Sequence, residues 1–323
     1  MEQIVAPFIE LVTSDLHKVE ACMRETSPDV DPNLRLAIKQ LLGSGGKRLR
    51  PTLTLISGAM LKADRQKTIT LAASIEMLHT ATLVHDDLID GALLRRGTPT
   101  LNAQWSPGAT VLTGDFVFAR AAHLAAQTGS LELMKIFAEV LMLMVNGEIT
   151  QLFGMTSGDI RKDYFNRIYE KTASLFEVST YGAALLSDCD EAIRQEMKSL
   201  GYEIGMAFQI VDDILDFTGD QEKVGKPVGS DLRMGIITLP TIRYFESHPT
   251  DPSQEGLFNG KLQSGDEMEE LIHKIRKSNA IDESFEEARQ FIYSARERLS
   301  IMPSGEMRDA LVDLIDYIIQ RPF

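Results

Sequence analysis

Apolar residues recur every three or four positions along almost the whole chain, and alternating runs joined by Asn-Gly or Asp-Gly turns are nearly absent. That period commits the chain to helices. Residues 4–24 put Ile4, Phe8, Leu11, Val12, Leu16 and Val19 on one face. Residues 68–90 contain "TLAASIEMLHTATLVH", apolar or small on nearly every side, which predicts a helix buried around most of its circumference. Further helices are predicted over approximately 109–127, 131–153, 162–186, 190–217, 231–247, 266–277, 281–300 and 305–320. Stretches rich in Pro and Gly at 27–33, 43–47, 96–108, 219–229 and 247–256 read as loops. No low-complexity linker divides the 323 residues, so one all-α domain spanning 1–323 is expected.

Two of these helices end in the same acidic pattern, "DDLID" at 86–90 and "DDILD" at 212–216. Positions i and i+4 share a helix face. Asp86 therefore aligns with Asp90, and Asp212 with Asp216, with Asp87 and Asp213 beside them. Carboxylate oxygens select hard cations. Mg²⁺ typically takes one or two of them, keeps waters, and fills its other positions with substrate phosphate oxygens. A single cluster reads equally as a solvated helix end. Two, each closing an apolar helix, put like charges in half-buried settings that need compensating cations.

The basic residues suit a second anion. "GSGGKRLRP" places Lys47, Arg48 and Arg50 after a Gly-rich turn, where N–H groups and cations could cradle a phosphate. It is not a Walker A motif, since Arg48 stands where Ser or Thr would follow the lysine. Arg95 and Arg96 follow the first acidic cluster, and His79 lies two helical turns before Asp86. Together they supply cations for a second diphosphate that the metals do not hold. The net charge of −14 argues against a nucleic-acid partner. Cys22 and Cys189 have no metal-ligand spacing and point to a reducing cytoplasm. Acidic residues occupy the N-terminal stretch where a signal peptide would be basic, and no run approaches 18 uninterrupted apolar residues, so no transmembrane segment is expected.

At this point the chain resembles the trans-isoprenyl diphosphate synthases of the polyprenyl synthetase family. The resemblance runs from "GGKRLRP" through "HTATLVHDDLIDGALLRRGTPT", "VLTGDFVFARA", "GEITQL", "YEKTASLFEVS", "FQIVDDILDFTGD" and "GKPVGSDLRMGIITLP" to "LVDLIDYIIQRPF". It implies a single large helical bundle around a central cavity, the isoprenoid synthase type I fold, usually as a homodimer. The implied reaction is head-to-tail condensation of isopentenyl diphosphate with an allylic diphosphate primer. Carried over by position, Asp86, Asp90 and Asp212 hold Mg²⁺, with Asp87, Asp213 and Asp216 supporting directly or through water. Arg95, Lys171 and Lys226 contact the allylic diphosphate, whereas Lys47, Arg50, His79 and Arg96 bind isopentenyl diphosphate. Thr172 and Gln209 line the site of the developing cation. One departure is Ile236, where many members have lysine.

Ala81 and Thr82 lie about one turn, roughly 5–6 Å, before Asp86. Short-chain members commonly carry an aromatic residue there or an insertion in the acidic motif. Small residues and an uninterrupted motif imply a medium- to long-chain product. The alternative is a short-chain geranylgeranyl or farnesyl diphosphate synthase. A class I terpene cyclase would leave Lys47, Arg50, His79 and Arg96 without a role. A non-catalytic synthase subunit would not need both acidic clusters, and a purely structural bundle would explain neither.

Overall fold

The computed structural model describes residues 7–26, 29–43, 46–95, 97–153, 158–219, 227–258 and 265–320. The chain opens with α1 (Pro7–Glu10) and α2 (Thr13–Arg24), separated by a turn at Leu11 and Val12 that breaks the single helix expected there. Next come α3 (Pro32–Gly43) and α4 (Leu49–Met60), which the periodicity did not predict. Pro32 opens α3 at a position where the missing N–H costs nothing, and Asp31 accepts from the Asn33 N–H (2.8 Å). Helix α4 is buried on almost every side from Leu49 to Gly58, so it shows no polar stripe.

Helix α5 (Arg65–Ile89) starts where the Asp64 side chain accepts from the Lys67 N–H (2.9 Å). A small hairpin follows, β1 (Leu94–Arg95) pairing antiparallel with β2 (Thr98–Pro99) across Gly97, which adopts φ +75°. It falls partly within a stretch expected to be loop, and α6 (Leu101–Gln104) lies wholly within it. Helix α7 (Pro107–Gln127) has Ser106 as its N-cap and Pro107 in its first turn. It runs antiparallel to α5. The Ser74 hydroxyl donates to the Ala121 carbonyl (2.8 Å), and the His85 ring stacks at a tilt on Phe118 (5.2 Å between centroids).

Helix α8 (Leu131–Phe153) matches its expected range. The helix expected over 162–186 is instead α9 (Ile160–Ile168), a π-helical turn (Tyr169–Ala173) and α10 (Ser174–Leu185). Helix α11 (Glu191–Thr218) carries the second acidic cluster. The helix expected over 231–247 is split into α12 (Ser230–Arg233) and α13 (Leu239–Ser247), because Gly235 turns at φ +79° and Pro240 belongs to a first helical turn. The chain closes with α14 (Ser253–Phe258), α15 (Asp266–Lys277), α16 (Ala280–Ser300) and α17 (Glu306–Gln320).

Contacts group the chain into two compact units. The first comprises Met1–Leu141, Leu175–Gly201 and Arg298–Leu314, and the second Met142–Ser174, Tyr202–Glu297 and Ile315–Phe323. The first unit is built on α5, whose residues from Thr68 to Leu78 are all buried. In the second, Tyr164, Ile210, Phe217, Leu239 and Leu271 belong to one apolar core. Helix α8 shows solvent an apolar stripe. Met142, Val145, Ile149 and Leu152 share one helical face and are 65, 53, 48 and 53% exposed. By length and composition this helix could cross a membrane, although charged residues interrupt its apolar run.

Candidate active site

The first acidic cluster occupies the last turn of α5. Gly91 stops the helix at φ +64°, and the Ala92 N–H returns to the Asp87 carbonyl (2.8 Å), leaving Asp90 as the C-cap. The second cluster occupies the last two turns of α11. Both therefore sit where a helix presents unpaired carbonyls and the negative end of its dipole. Carboxylates destabilise a helix C-terminus, so each end calls for cations.

Within each cluster the outer and inner aspartates differ. Asp90 and Asp212 are exposed and Asp86 and Asp216 half-buried, while Asp87 and Asp213 are buried. The Arg95 guanidinium, on β1, donates to Asp87 Oδ1 (2.8 Å). In the second unit, the Tyr164 hydroxyl donates to Asp213 Oδ2 and the Gln209 amide to Asp213 Oδ1, both at 2.8 Å. Burial pushes the Asp213 carboxyl up to about 8, with the Asp231 charge adding, although the Gln209 and Tyr164 hydrogen bonds favour its ionised form. Burial and the Asp213 charge together raise the Tyr164 hydroxyl well above its ordinary value.

Asp216 has a further task. It accepts from the Ser230 N–H (3.1 Å) and hydroxyl (2.6 Å) and from the Asp231 N–H (3.2 Å), and so caps α12. Among the described residues no three His, Cys, Asp or Glu side chains converge into a ready-made metal cage. Each cluster nevertheless offers only carboxylate oxygens and has one exposed member, Asp90 in the first and Asp212 in the second, which suits a hard ion sharing its coordination with phosphate.

The π-helical turn places Lys171 and Thr172. Lys171 Nζ pairs with Glu148 (2.7 Å) and donates to Gln151 (3.3 Å), both on α8. Gly147 allows the close approach, since a Cβ there would lie 3.0 Å from that of Glu170. The Thr172 hydroxyl donates to Gln209 Oε1 (2.8 Å), so Thr172, Gln209, Asp213 and Tyr164 form one continuous chain of hydrogen bonds.

In the first unit, Lys47 is exposed and His79 half-buried, and the Arg50 guanidinium lies over the Phe176 ring (4.5 Å to the centroid). Arg48, a phosphate candidate by sequence, is turned inward to Glu76 (2.7 Å). His85 seats against Gly114, where a Cβ would come within 2.2 Å of its Nε2. Arg96 and Lys226 lie outside the described residues. Sequence reasoning missed Tyr164, Glu148, Gln151, Glu76 and the His85–Gly114 seat. Several lie inside motifs quoted above, but each acts through a partner distant in sequence, so the motif alone gave it no role.

A carboxylate-tipped helix end in each unit, the first with Arg95 paired to Asp87, suits a helical enzyme of diphosphate chemistry. A profile of the polyprenyl synthetase family matches residues 31–277. The chain is 35% identical to heptaprenyl diphosphate synthase component 2 of Bacillus subtilis over 313 residues, covering 97% of this chain and 89% of that protein. It is 32% identical to octaprenyl diphosphate synthase of Escherichia coli over 97% of each. A crystal structure of a decaprenyl diphosphate synthase from Rhodobacter capsulatus superposes with a TM-score of 0.89 at 32% identity, covering 97% of this chain and 98% of that one. The chain belongs to the polyprenyl synthetase family, has its all-α fold, and is a prenyltransferase.

Proposed function

We propose that the protein condenses isopentenyl diphosphate head-to-tail with an allylic diphosphate primer, giving a medium- to long-chain all-trans polyprenyl diphosphate. The placement of both acidic motifs at C-terminal helix ends, each with an outward and an anchored aspartate, carries this reading. The three relatives named above are heptaprenyl, octaprenyl and decaprenyl synthases, which supports the chain-length class. The two compact units are read as parts of one synthase domain, 1–323.

Asp86, Asp90 and Asp212 are assigned to Mg²⁺. When bound, Mg²⁺ supplies positive charge to the diphosphate that leaves the allylic carbon. Arg95, Lys171 and Lys226 hold that diphosphate, so the allylic C–O bond ionises as charge builds on oxygen. Asp87 aims Arg95, and Glu148 with Gln151 keeps Lys171 in place. Thr172 and Gln209 present oxygen atoms to the carbocation. Asp213 and Tyr164 fix the Gln209 amide. Lys47, Arg50, His79 and Arg96 hold isopentenyl diphosphate so that its double bond attacks the cation. A proton then leaves to the released diphosphate, restoring an allylic double bond.

Two free cysteines fit a reducing compartment, and the cytoplasm is the proposed location. The apolar stripe on α8 is assigned to a second copy of the chain. The deciding experiment gives the purified chain Mg²⁺, isopentenyl diphosphate and geranyl, farnesyl or geranylgeranyl diphosphate, with mass spectrometry of the products. Prenyl diphosphates longer than four isoprene units are expected. Cyclic hydrocarbon without isopentenyl consumption would overturn the reading, as would product formation only on addition of a separate subunit.

A further inference from the structure

We infer that Arg48 is a positioning residue for the isopentenyl diphosphate site, reaching back into the protein to fix the cations on either side of it. The inference rests on the assignment of Lys47, Arg50 and His79 made above. In "GKRLR" the outer two cations are assigned to isopentenyl diphosphate, whereas the middle one turns inward to Glu76. Arg48 adopts the left-handed conformation, φ +48° and ψ +35°. A non-glycine residue rarely does so, and here its side chain is tied at three points. Its Nη1 lies 2.7 Å from Glu76 Oε1, its Nη2 donates to the Leu42 carbonyl (3.0 Å), and its Nε is 3.7 Å from Glu20 Oε1.

Glu76 and Arg48 are largely shielded, with side-chain exposures of 8% and 16%, so the pair interacts with little screening by solvent. Three helices are joined at this point: α2 through Glu20, the end of α3 through Leu42, and α5 through Glu76. On α5, Glu76 lies one turn before His79. The clamp therefore sets the start of α4, and with it Lys47 and Arg50, against the turn that carries His79. Without it the backbone at 48 is released to ordinary right-handed or extended conformations, which redirects the side chains on both sides. Losing either partner also leaves a shielded charge uncompensated.

Steady-state kinetics on Arg48→Gly, Glu76→Gln, Arg48→Lys and Lys47→Ala test this, with thermal melting of each. Glycine accepts the left-handed conformation freely, so Arg48→Gly removes the clamp without adding backbone strain. Glu76→Gln keeps shape and removes charge, and it carries the test if Arg48→Gly does not fold. Both should raise KM for isopentenyl diphosphate about tenfold and leave KM for the primer within about twofold. Arg48→Lys, which keeps the charge but not the fork, should fall between them and the parent. A loss of stability alone lowers the amount of active enzyme and moves neither KM. An unchanged KM for isopentenyl diphosphate in the folded clamp variants, or an equal rise for both substrates, overturns the inference. If Lys47→Ala leaves that KM unchanged, the site assignment itself fails and the inference falls with it. A rise in Lys47→Ala without one in the clamp variants overturns the inference alone.

Discussion

Asp212 and Asp213 are chain neighbours with opposite surroundings. Asp212 is exposed at the end of α11, whereas Asp213 is 3% exposed and accepts one hydrogen bond on each oxygen. Their substitutions should separate. Asp212→Ala removes a proposed metal ligand and should lower kcat by about a hundredfold or more with little change in melting temperature. Excess chelator should do the same to the parent protein. Asp213→Asn puts an N–H₂ donor against the Tyr164 hydroxyl or the Gln209 amide, and a buried polar group left unpaired costs about 1–3 kcal/mol. That variant should melt at lower temperature and lose less activity than Asp212→Ala. Circular dichroism melts beside kcat decide the point. An Asp213→Asn protein of parental stability that is as inactive as Asp212→Ala would place Asp213 among the metal ligands.

The α5–α7 seam bears on product length. Ser74 and His85 of α5 both touch α7, and Ala81 lies on their stripe, seven residues after one and four before the other. It has no exposed surface. An aromatic ring at Ala81 therefore has no free space on that face of α5. Thr82 is half-buried and shares its stripe with His79 and Asp86, both also half-buried. Thr82→Phe should shorten the product while the enzyme melts near the parental temperature. Ala81→Phe should instead overpack the seam, costing about 1–3 kcal/mol and lowering the melting temperature. Product chain length by mass spectrometry, read beside thermal melts, separates the two. Shortening by a stable Ala81→Phe enzyme and none by Thr82→Phe would reverse the assignment.

At the scale of the whole molecule, the apolar stripe of α8 stands exposed in a lone chain. A membrane and a second copy would both bury Met142, Val145, Ile149 and Leu152. The acidic net charge of −14 weakens attraction to anionic lipid, so the second copy is favoured. Size-exclusion chromatography with light scattering should give twice the chain mass. Ile149→Glu should shift this toward the monomer without loss of helical content, because Ile149 is half-exposed in the single chain. A monomeric parent protein that co-sediments with lipid vesicles would reassign the stripe to a membrane.

The helical class, several helix ranges and the paired Asp-Asp-x-x-Asp motifs are local matters of spacing, and the chain states them by itself. Range 131–153 was legible to the residue because its apolar period is long and continuous. Helix α4 was not, since burial on all sides leaves no polar stripe to read. The break at 169–173 was not either. It puts Lys171 within reach of Glu148 and Gln151 through a close approach at Gly147, which belongs to another helix. The same holds within the motifs. Spacing alone treats the aspartates of a cluster as neighbours on one helix end, but Asp87 turns to Arg95 and Asp213 to Tyr164, a partner 49 residues away. The middle cation of the basic motif turns inward to Glu76 for the same reason. Periodicity is set by near neighbours along the chain. The direction a charged side chain takes is set by which partner packing brings within hydrogen-bond reach, and only the tertiary structure decides that.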